Sequence, residues 1–546
     1  MLKDFEIARL NKTLDIRDIA KNINIQDQYL ECYGNDKAKV SLSIHDELAN
    51  NDDGKLILVT SINPTKAGEG KSTCTIGIID GFHKLNKKVI GCLREPSLGP
   101  VFGVKGGATG GGYAQAQPMV DINLHFTGDL HAITSCNNLI SAMIDNHLYQ
   151  GNELNIDPEN ITFKRCLDLN DRSLRNINVS VDDRVPRKDR FSITAASEIM
   201  AVLCLSNDLE DFKKRVGDIV VGYTYDKKQV TVNDLKIVGS LAALIKDAIK
   251  PNLIQTLEHT PILMHGGPFA NIAHGCNSVI ATKMGLKLAD YVVTEAGFGA
   301  DLGAEKFLNI KCRQAQIKPS AVVVVITTKS LKSHAGIAYE DLSIPNVEAL
   351  KKGLINLKAH LDSLKNYNIP RVVAINRYTN DSDEELQAIK DFAKNEGVVC
   401  EMAEGFAKGG DGTVELVKKI IEVLDDKDFK YLYDDNLSIK EKIETICLKQ
   451  YHAKNVEFTT EALEKLSLIT DNSLQVCMAK TPMSLSDDAK SKETSGFTIH
   501  VKDIKVSSGA GFVVVSTGAI IDMPGLSKKP AALDIDVIDG EVVGIF

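Results

Sequence analysis

The run Lys55–Ile79, KLILVTSINPTKAGEGKSTCTIGII, constrains this chain more than any other stretch. Its apolar start, Leu56 to Val59, reads as a buried strand. A loop follows with Gly68, Glu69, Gly70 and Lys71, then Ser72 and Thr73, then an apolar segment able to open a helix. Strand, glycine-rich loop, Lys-Ser/Thr and helix together form the context of a phosphate-binding P-loop. Glycines let an anion approach the backbone, helix-start amides point at it, and Lys71 adds a mobile positive charge. On this reading Ala67, Gly68, Glu69 and Gly70 cradle the phosphates of ATP, and Ser72 and Thr73 suit Mg2+ or phosphate oxygens. The usual pattern has glycine five residues before Gly70, where this chain has Thr65. A glycine-rich turn in an ordinary βα unit is the plainer alternative.

With 546 residues, 43% hydrophobic and 25% charged, the chain is too long for one core and calls for two to four domains. A net charge of -9 argues against general affinity for nucleic acid, though not against a local basic pocket. The N-terminal residues are charged throughout, unlike a signal peptide, and the apolar run near Ser320 stops after Ile326, too short to span a bilayer. Eleven cysteines lie scattered, with no CxxC pair, as expected of reduced, mostly buried thiols in a cytoplasmic protein. Cys74, just past the loop, reads as a small buried helix residue, with a nucleophile as the alternative.

Residues 1 to about 50 read as helices, for example Ile19–Tyr29 and Leu42–Leu48. Lys87 to Leu93 gives a second strand, and Arg94 and Glu95 stand at its carboxyl end, where open α/β sheets collect ligands. Phe102–Tyr113 holds six glycines in twelve residues. Its flanks lack linker composition, which favours a loop folded against a ligand over a flexible linker. The polar run after it includes His125, Asp129 and His131; such histidines are more often satisfied core residues than metal ligands. Asn160–Tyr225 reads as helix with a surface excursion, and Leu235–Ile249 as a core-facing helix.

Further strands are expected at Pro261–Met264, Ala289–Thr294, Ala321–Ile326, Pro370–Ile375 and Val398–Met402, most ending in Gly-, Ser/Thr- or charge-bearing loops. Leu342–Lys358 reads as a helix, and the acidic run at Asp381 as a helix start. The reading is an α/β fold: a P-loop-containing, mostly parallel sheet with helices on both faces, plus two smaller α/β domains. The expected division is 1–360, 361–450 and 451–546, with strands at Thr498–Val501 and Phe512–Ser516 and the extreme C-terminus packing back on the first domain.

Five blocks now resemble one family, the formate–tetrahydrofolate ligases. They are Thr65–Thr73, Arg94–Pro100 (REPSLGP), Asp121–Asp129 (DINLHFTGD), Thr294–Phe307 (TEAGFGADLGAEKF) and Met523–Leu526 (MPGL). They lie in the family's order and span nearly the whole chain. The resemblance implies ATP, formate and tetrahydrofolate as substrates, and 10-formyltetrahydrofolate, ADP and phosphate as products, through formyl phosphate. It implies Lys71 on the phosphates, and Arg94 as a clamp on formate and then on formyl phosphate. Phe298 falls on the substrate side. Asp129 is placed to accept the amine proton or to orient a group; bound phosphate is the other base.

The resemblance also implies activation by a monovalent cation, K+ or NH4+; Glu95 and Asp129 are the candidate carboxylates near it, with structural hydrogen bonding to loop amides as the alternative. It implies a homotetramer with small-molecule partners, and no nucleic acid or membrane. The pterin should stack on Tyr378 and Phe406, where the family often has Phe and Trp; this chain has no Trp, and Thr379 stands in place of the usual Pro. Another P-loop ligase, or a P-loop switch ATPase, are the competing readings.

Overall fold

The computed structural model describes residues 2–103, 108–179 and 185–545. Eight strands carry the centre of the molecule: β1 (Lys55–Ser61), β2 (Val89–Leu93), β3 (Asn252–Thr256), β4 (Pro261–Met264), β5 (Tyr291–Glu295), β6 (Pro319–Ile326), β7 (Arg371–Asn376) and β8 (Val399–Ala403). Their spatial order is β3-β4-β2-β5-β1-β6-β7-β8. All neighbours from β4 to β8 run parallel, and β3 is antiparallel to β4. A hairpin, Leu30–Cys32 with Ala38–Val40, extends the sheet beyond β3.

The central strands read as unbroken apolar runs because both of their faces are buried. In β1, Leu56 and Leu58 join one hydrophobic cluster while Ile57 and Val59 join another. β6 splits in the same way, with Val322, Val324 and Ile326 on one side and Val323 and Val325 on the other. The helix Lys71–Lys84 covers one face through Cys74, Ile78, Ile79 and Phe82. Helices Val279–Leu288 and Val347–Lys365 contribute to the cluster on the opposite face.

The chain runs from β1 to β2, fills in β4 and β5, then crosses to β6 on the far side of β1. Ligand crevices in open α/β sheets form at such a reversal, at the carboxyl ends of the strands. β7 and β8, expected within a smaller unit, continue this same sheet. C-terminal strands at Gln475–Ala479, Asp503–Ser507 and Phe512–Ser516 form a separate three-stranded sheet. The tail returns to the N-terminal part: Arg9 Nη2 donates to the Val542 carbonyl at 2.9 Å, and Ile545 packs with Val101 and Met119.

Three local expectations are corrected. Ile19–Tyr29 is helical only from Ile16 to Asn22, with a single tight turn at Asp27–Tyr29. Among its described residues, Asn160–Tyr225 is short strands up to Ile193, single tight turns at Arg172–Arg175 and Thr194–Ala196, α-helices at Glu198–Leu205 and Leu209–Gly217, and a strand at Val220–Thr224. Charge density misled there: Asp189 and Arg187 of one strand and Arg165 of another pair across the segment, with Asp145. His125 and His131 are exposed rather than in the core. In the glycine-rich run, residues 104–107 lie outside the described residues, and Gly110–Gly111 pairs with Ala114–Gln117.

Candidate active site

At the carboxyl ends of β1, β2, β4 and β5 lies a cleft of about 560 Å³. Ser61, Glu69, Gly70, Lys71 and Ser72 form one wall; Arg94, Glu95 and Ser97 form the next. Gly267–Asn271, Gly297, Phe298 and the tail residues Pro524 and Gly525 complete it. Ala67, Gly68 and Thr73 are half-buried beside this lining and not part of it.

Gly70 sits at the helix start with φ +68°, a left-handed conformation that side chains resist. A Cβ there would lie 2.1 Å from Asn376 Nδ2, which itself donates to the Glu69 carbonyl at 3.0 Å. The Glu69 carboxylate folds back on the loop and accepts from the Thr65 amide at 2.8 Å and hydroxyl at 3.0 Å. Thr65, which replaces the expected glycine, thus closes the loop through Glu69. Burial pushes the Glu69 carboxyl up to about 7.

Lys71 and Phe298 come together across the cleft. Lys71 Nζ donates to the Phe298 carbonyl at 2.7 Å, and Ser61 Oγ to the same oxygen at 3.2 Å. Phe298 holds φ +59°, a strained setting for an aromatic residue that clusters at functional sites. The chain beyond it turns at once into wide helical turns, Ala300–Ala304 and Phe307–Lys311. Gly303 is required there, because a Cβ would stand 1.9 Å from the Gly297 carbonyl.

Glu295, to which no role was assigned from sequence, joins the two walls. One oxygen accepts from Ser72 Oγ at 3.0 Å and the other from Arg94 Nη2 at 3.3 Å. It was readable only as the last residue of a strand before a glycine run. Arg94 Nε is buried with no hydrogen-bond partner among the described residues, as are Glu95 Oε2 and the Oδ1 atoms of Asn170 and Asn271. Buried polar atoms are normally satisfied, so four orphans at one cleft mark where a ligand's polar groups belong.

Asp129 lies behind the cleft. Its carboxylate pairs with buried Lys39 Nζ at 2.7 Å and accepts from Asn252 Nδ2 at 2.8 Å. Glu95 contacts it from the cleft side; burial first, and the Asp129 charge second, hold the Glu95 carboxyl well above the usual range. Cys74 is buried and its thiol is pushed up to about 12, which makes it an inert core residue.

Tyr378 and Phe406 are outside this lining. Tyr378 follows β7, with Lys329 Nζ 4.2 Å from its ring centroid; burial first, and the Glu69 charge second, push its hydroxyl up. Phe406 follows β8; its carbonyl accepts from the Tyr113 amide at 2.9 Å, and its ring stacks close to Gly111 and Gly112. The aromatic and the glycine-rich run therefore meet directly, a contact the sequence did not disclose.

The tail reaches the cleft because the 164–193 segment holds it. Arg175 Nε donates to the Met523 carbonyl at 2.9 Å, Ile193 N to the Asp522 carbonyl at 2.8 Å, and Lys164 pairs with Asp522. A family model described as formate–tetrahydrofolate ligase matches residues 2–546. The match takes in every strand end, loop and tail segment that meets at this cleft, and the chain belongs to the formate–tetrahydrofolate ligase family.

Proposed function

We propose that the cleft joins formate to tetrahydrofolate at the expense of ATP, in two steps through formyl phosphate. The observation that carries this reading is Glu295, which ties the loop bearing Lys71 and Ser72 to the strand end bearing Arg94. Formate is ionised near neutral pH, since carboxyl groups titrate roughly between 3 and 4. It needs no base to attack the γ-phosphorus; the obstacle is bringing two anions together, which requires cations. Lys71 exchanges the Phe298 carbonyl for phosphate oxygens, and the unpartnered Arg94 Nε binds the formate carboxylate and then the formyl phosphate. ADP departs with the electron pair of the broken P–O bond. The amine of tetrahydrofolate next attacks the formyl carbon and phosphate leaves, with Arg94 and loop amides on the developing oxyanion.

Ser72, Thr73 and Glu295 offer hard oxygen donors, which fits Mg2+; the ion supplies charge neutralisation on the phosphates when bound. Glu95 Oε2, buried and unpartnered beside Asp129, would hold a monovalent cation, which would supply charge balance to the two carboxylates together with Lys39. Asp129 acts by holding Glu95 and Lys39 in place. The folate enters on the side of Tyr378 and Phe406, whose faces carry the pterin. Because β7 and β8 belong to the central sheet, the folate aromatics that follow them are assigned to the first domain, and the separate three-stranded sheet to a C-terminal one.

The assembly is a homotetramer, which light scattering tests, with no nucleic-acid partner. No helix among the described residues is long and apolar enough to cross a membrane. The free cysteines, Cys74 among the buried ones, support a reducing, cytoplasmic setting. The deciding experiment is ADP release with formate and tetrahydrofolate each omitted in turn. Release that requires both supports the reading, and equal turnover without them refutes it.

A further inference from the structure

Behind the Arg94 strand end stands an acid that the two-step reading leaves unused. Ser97 lines the cleft together with Arg94, Glu95 and Asn170. Its hydroxyl donates to Asp168 Oδ1 at 2.5 Å, while Asp168 Oδ2 accepts from the Leu98 amide at 3.0 Å. Asp168 comes from the 156–193 segment, and two residues on, Asn170 lines the same cleft, its buried Oδ1 without a hydrogen-bond partner among the described residues. Acid, hydroxyl and cleft are in line, with the acid kept out of the lining.

The geometry points to Ser97 and Asp168 as a proton relay that serves the attacking amine of tetrahydrofolate. The inference rests on the proposed function and deepens its second step. As the nitrogen bonds to the formyl carbon, the C–O bond to phosphate breaks and its electron pair leaves on phosphate. The amine proton passes to Ser97 Oγ while the Ser97 proton passes to Asp168 Oδ1; Asp168 then releases it to solvent. Asn170 Oδ1 accepts a hydrogen bond from a ligand N–H in the same wall. Ser97 is thus a catalytic residue and Asp168 a positioning residue that works through it.

A relay base operates best with a pKa near working pH. Burial lifts the Asp168 carboxyl to about 6, against the pull of Ser97 and the Leu98 amide. The charged or titratable groups that face it are Glu95, on the loop with Ser97, and Cys166 on its own segment.

The test separates the two steps in the full-length enzyme. Hydroxylamine traps formyl phosphate and so reports formate-dependent ADP formation without folate; formylated folate reports both steps. Asp168→Asn, outside the lining, should leave trapping within about 2-fold of wild type, and both Asp168→Asn and Ser97→Ala should slow folate formylation relative to trapping about 10²- to 10³-fold. Ser97→Thr, which keeps a hydroxyl, should restore most of the rate. The wild-type folate step should fall below about pH 6, and this limb should vanish in the variants. Equal slowing of both steps, or an unaffected folate step, overturns the relay and leaves the leaving phosphate as the base. A wild type that forms no trapped product refutes the proposed function itself.

Discussion

Arg94 and Glu295 meet at 3.3 Å at the ends of β2 and β5, and Glu295 is only 2% exposed. Its second oxygen holds Ser72, so one carboxylate sets the spacing between the phosphate loop and the arginine. A bond between these two walls fixes their separation, which on the proposed function is the spacing between two anionic substrates. Any change at Glu295 acts on both walls at once.

Glu295→Gln keeps the shape and removes the charge. Hydrogen bonds to charged groups contribute about 1.5–3 kcal/mol, so thermal stability should fall by that order. Misplacing Arg94 should lower formate-dependent ADP formation by about 10²-fold, the usual cost of one electrostatic group. Initial rates with hydroxylamine present, alongside a thermal melt, check both. Undiminished ADP formation would show that the link is structural only.

Gly70 and Asn376 make a coupled pair. Gly70→Ala puts a Cβ into left-handed backbone, costing about 1–2 kcal/mol, and drives it against the Asn376 amide 2.1 Å away. ATP binding should be lost while circular dichroism stays native. Adding Asn376→Ala removes the clash and should recover part of the affinity, leaving the backbone cost. A double-mutant cycle by calorimetry reads the coupling, and strict additivity would contradict the close approach.

Glu69 gives a pH dependence whose sign is determined. Its folded pKa of about 7 lies above the 4.5 of a free glutamate, so the native state holds the proton longer than the unfolded chain. Its contribution to stability is fully present below about pH 4.5 and is lost as pH rises through 7. The shift corresponds to about 3 kcal/mol at most, given about 1.4 kcal/mol per pKa unit. Glu69→Gln should therefore gain on wild type between pH 5 and 8 in denaturant melts. A difference that stays flat across that range would refute the assignment.

The sheet was legible because both faces of its strands are apolar, and strand ends such as Arg94 and Phe298 announced the cleft. Pairings made by residues far apart in sequence were not legible. Glu295 joins Ser72 and Arg94 across more than two hundred positions, and Lys39 finds Asp129 only after the chain has crossed the sheet edge. Within the expected helix Asn160–Tyr225, the part up to Ile193 was misread because its charges pair across strands rather than along a helix face. Asp168 went unassigned for the same reason, since its partner Ser97 is 71 residues away.

The folate half rests on Phe406, which is 38% exposed, and on Tyr378. Gly112 crowds one side of the Phe406 ring, where a Cβ would come within 2.8 Å, so on the proposed function the pterin stacks on the other side. Lys329 Nζ stands 4.2 Å from the ring centroid of half-buried Tyr378. An aromatic stack contributes about 0.5–1.5 kcal/mol beyond burial, and 1.4 kcal/mol is tenfold in affinity. Phe406→Ala and Tyr378→Ala should each raise the KM for tetrahydrofolate by up to about tenfold. Hydroxylamine trapping of formyl phosphate should not change, because no folate takes part in it. Phe406→Trp, with a larger face, should lower the KM. Folate titrations that leave KM unmoved in both alanine variants would place the pterin elsewhere.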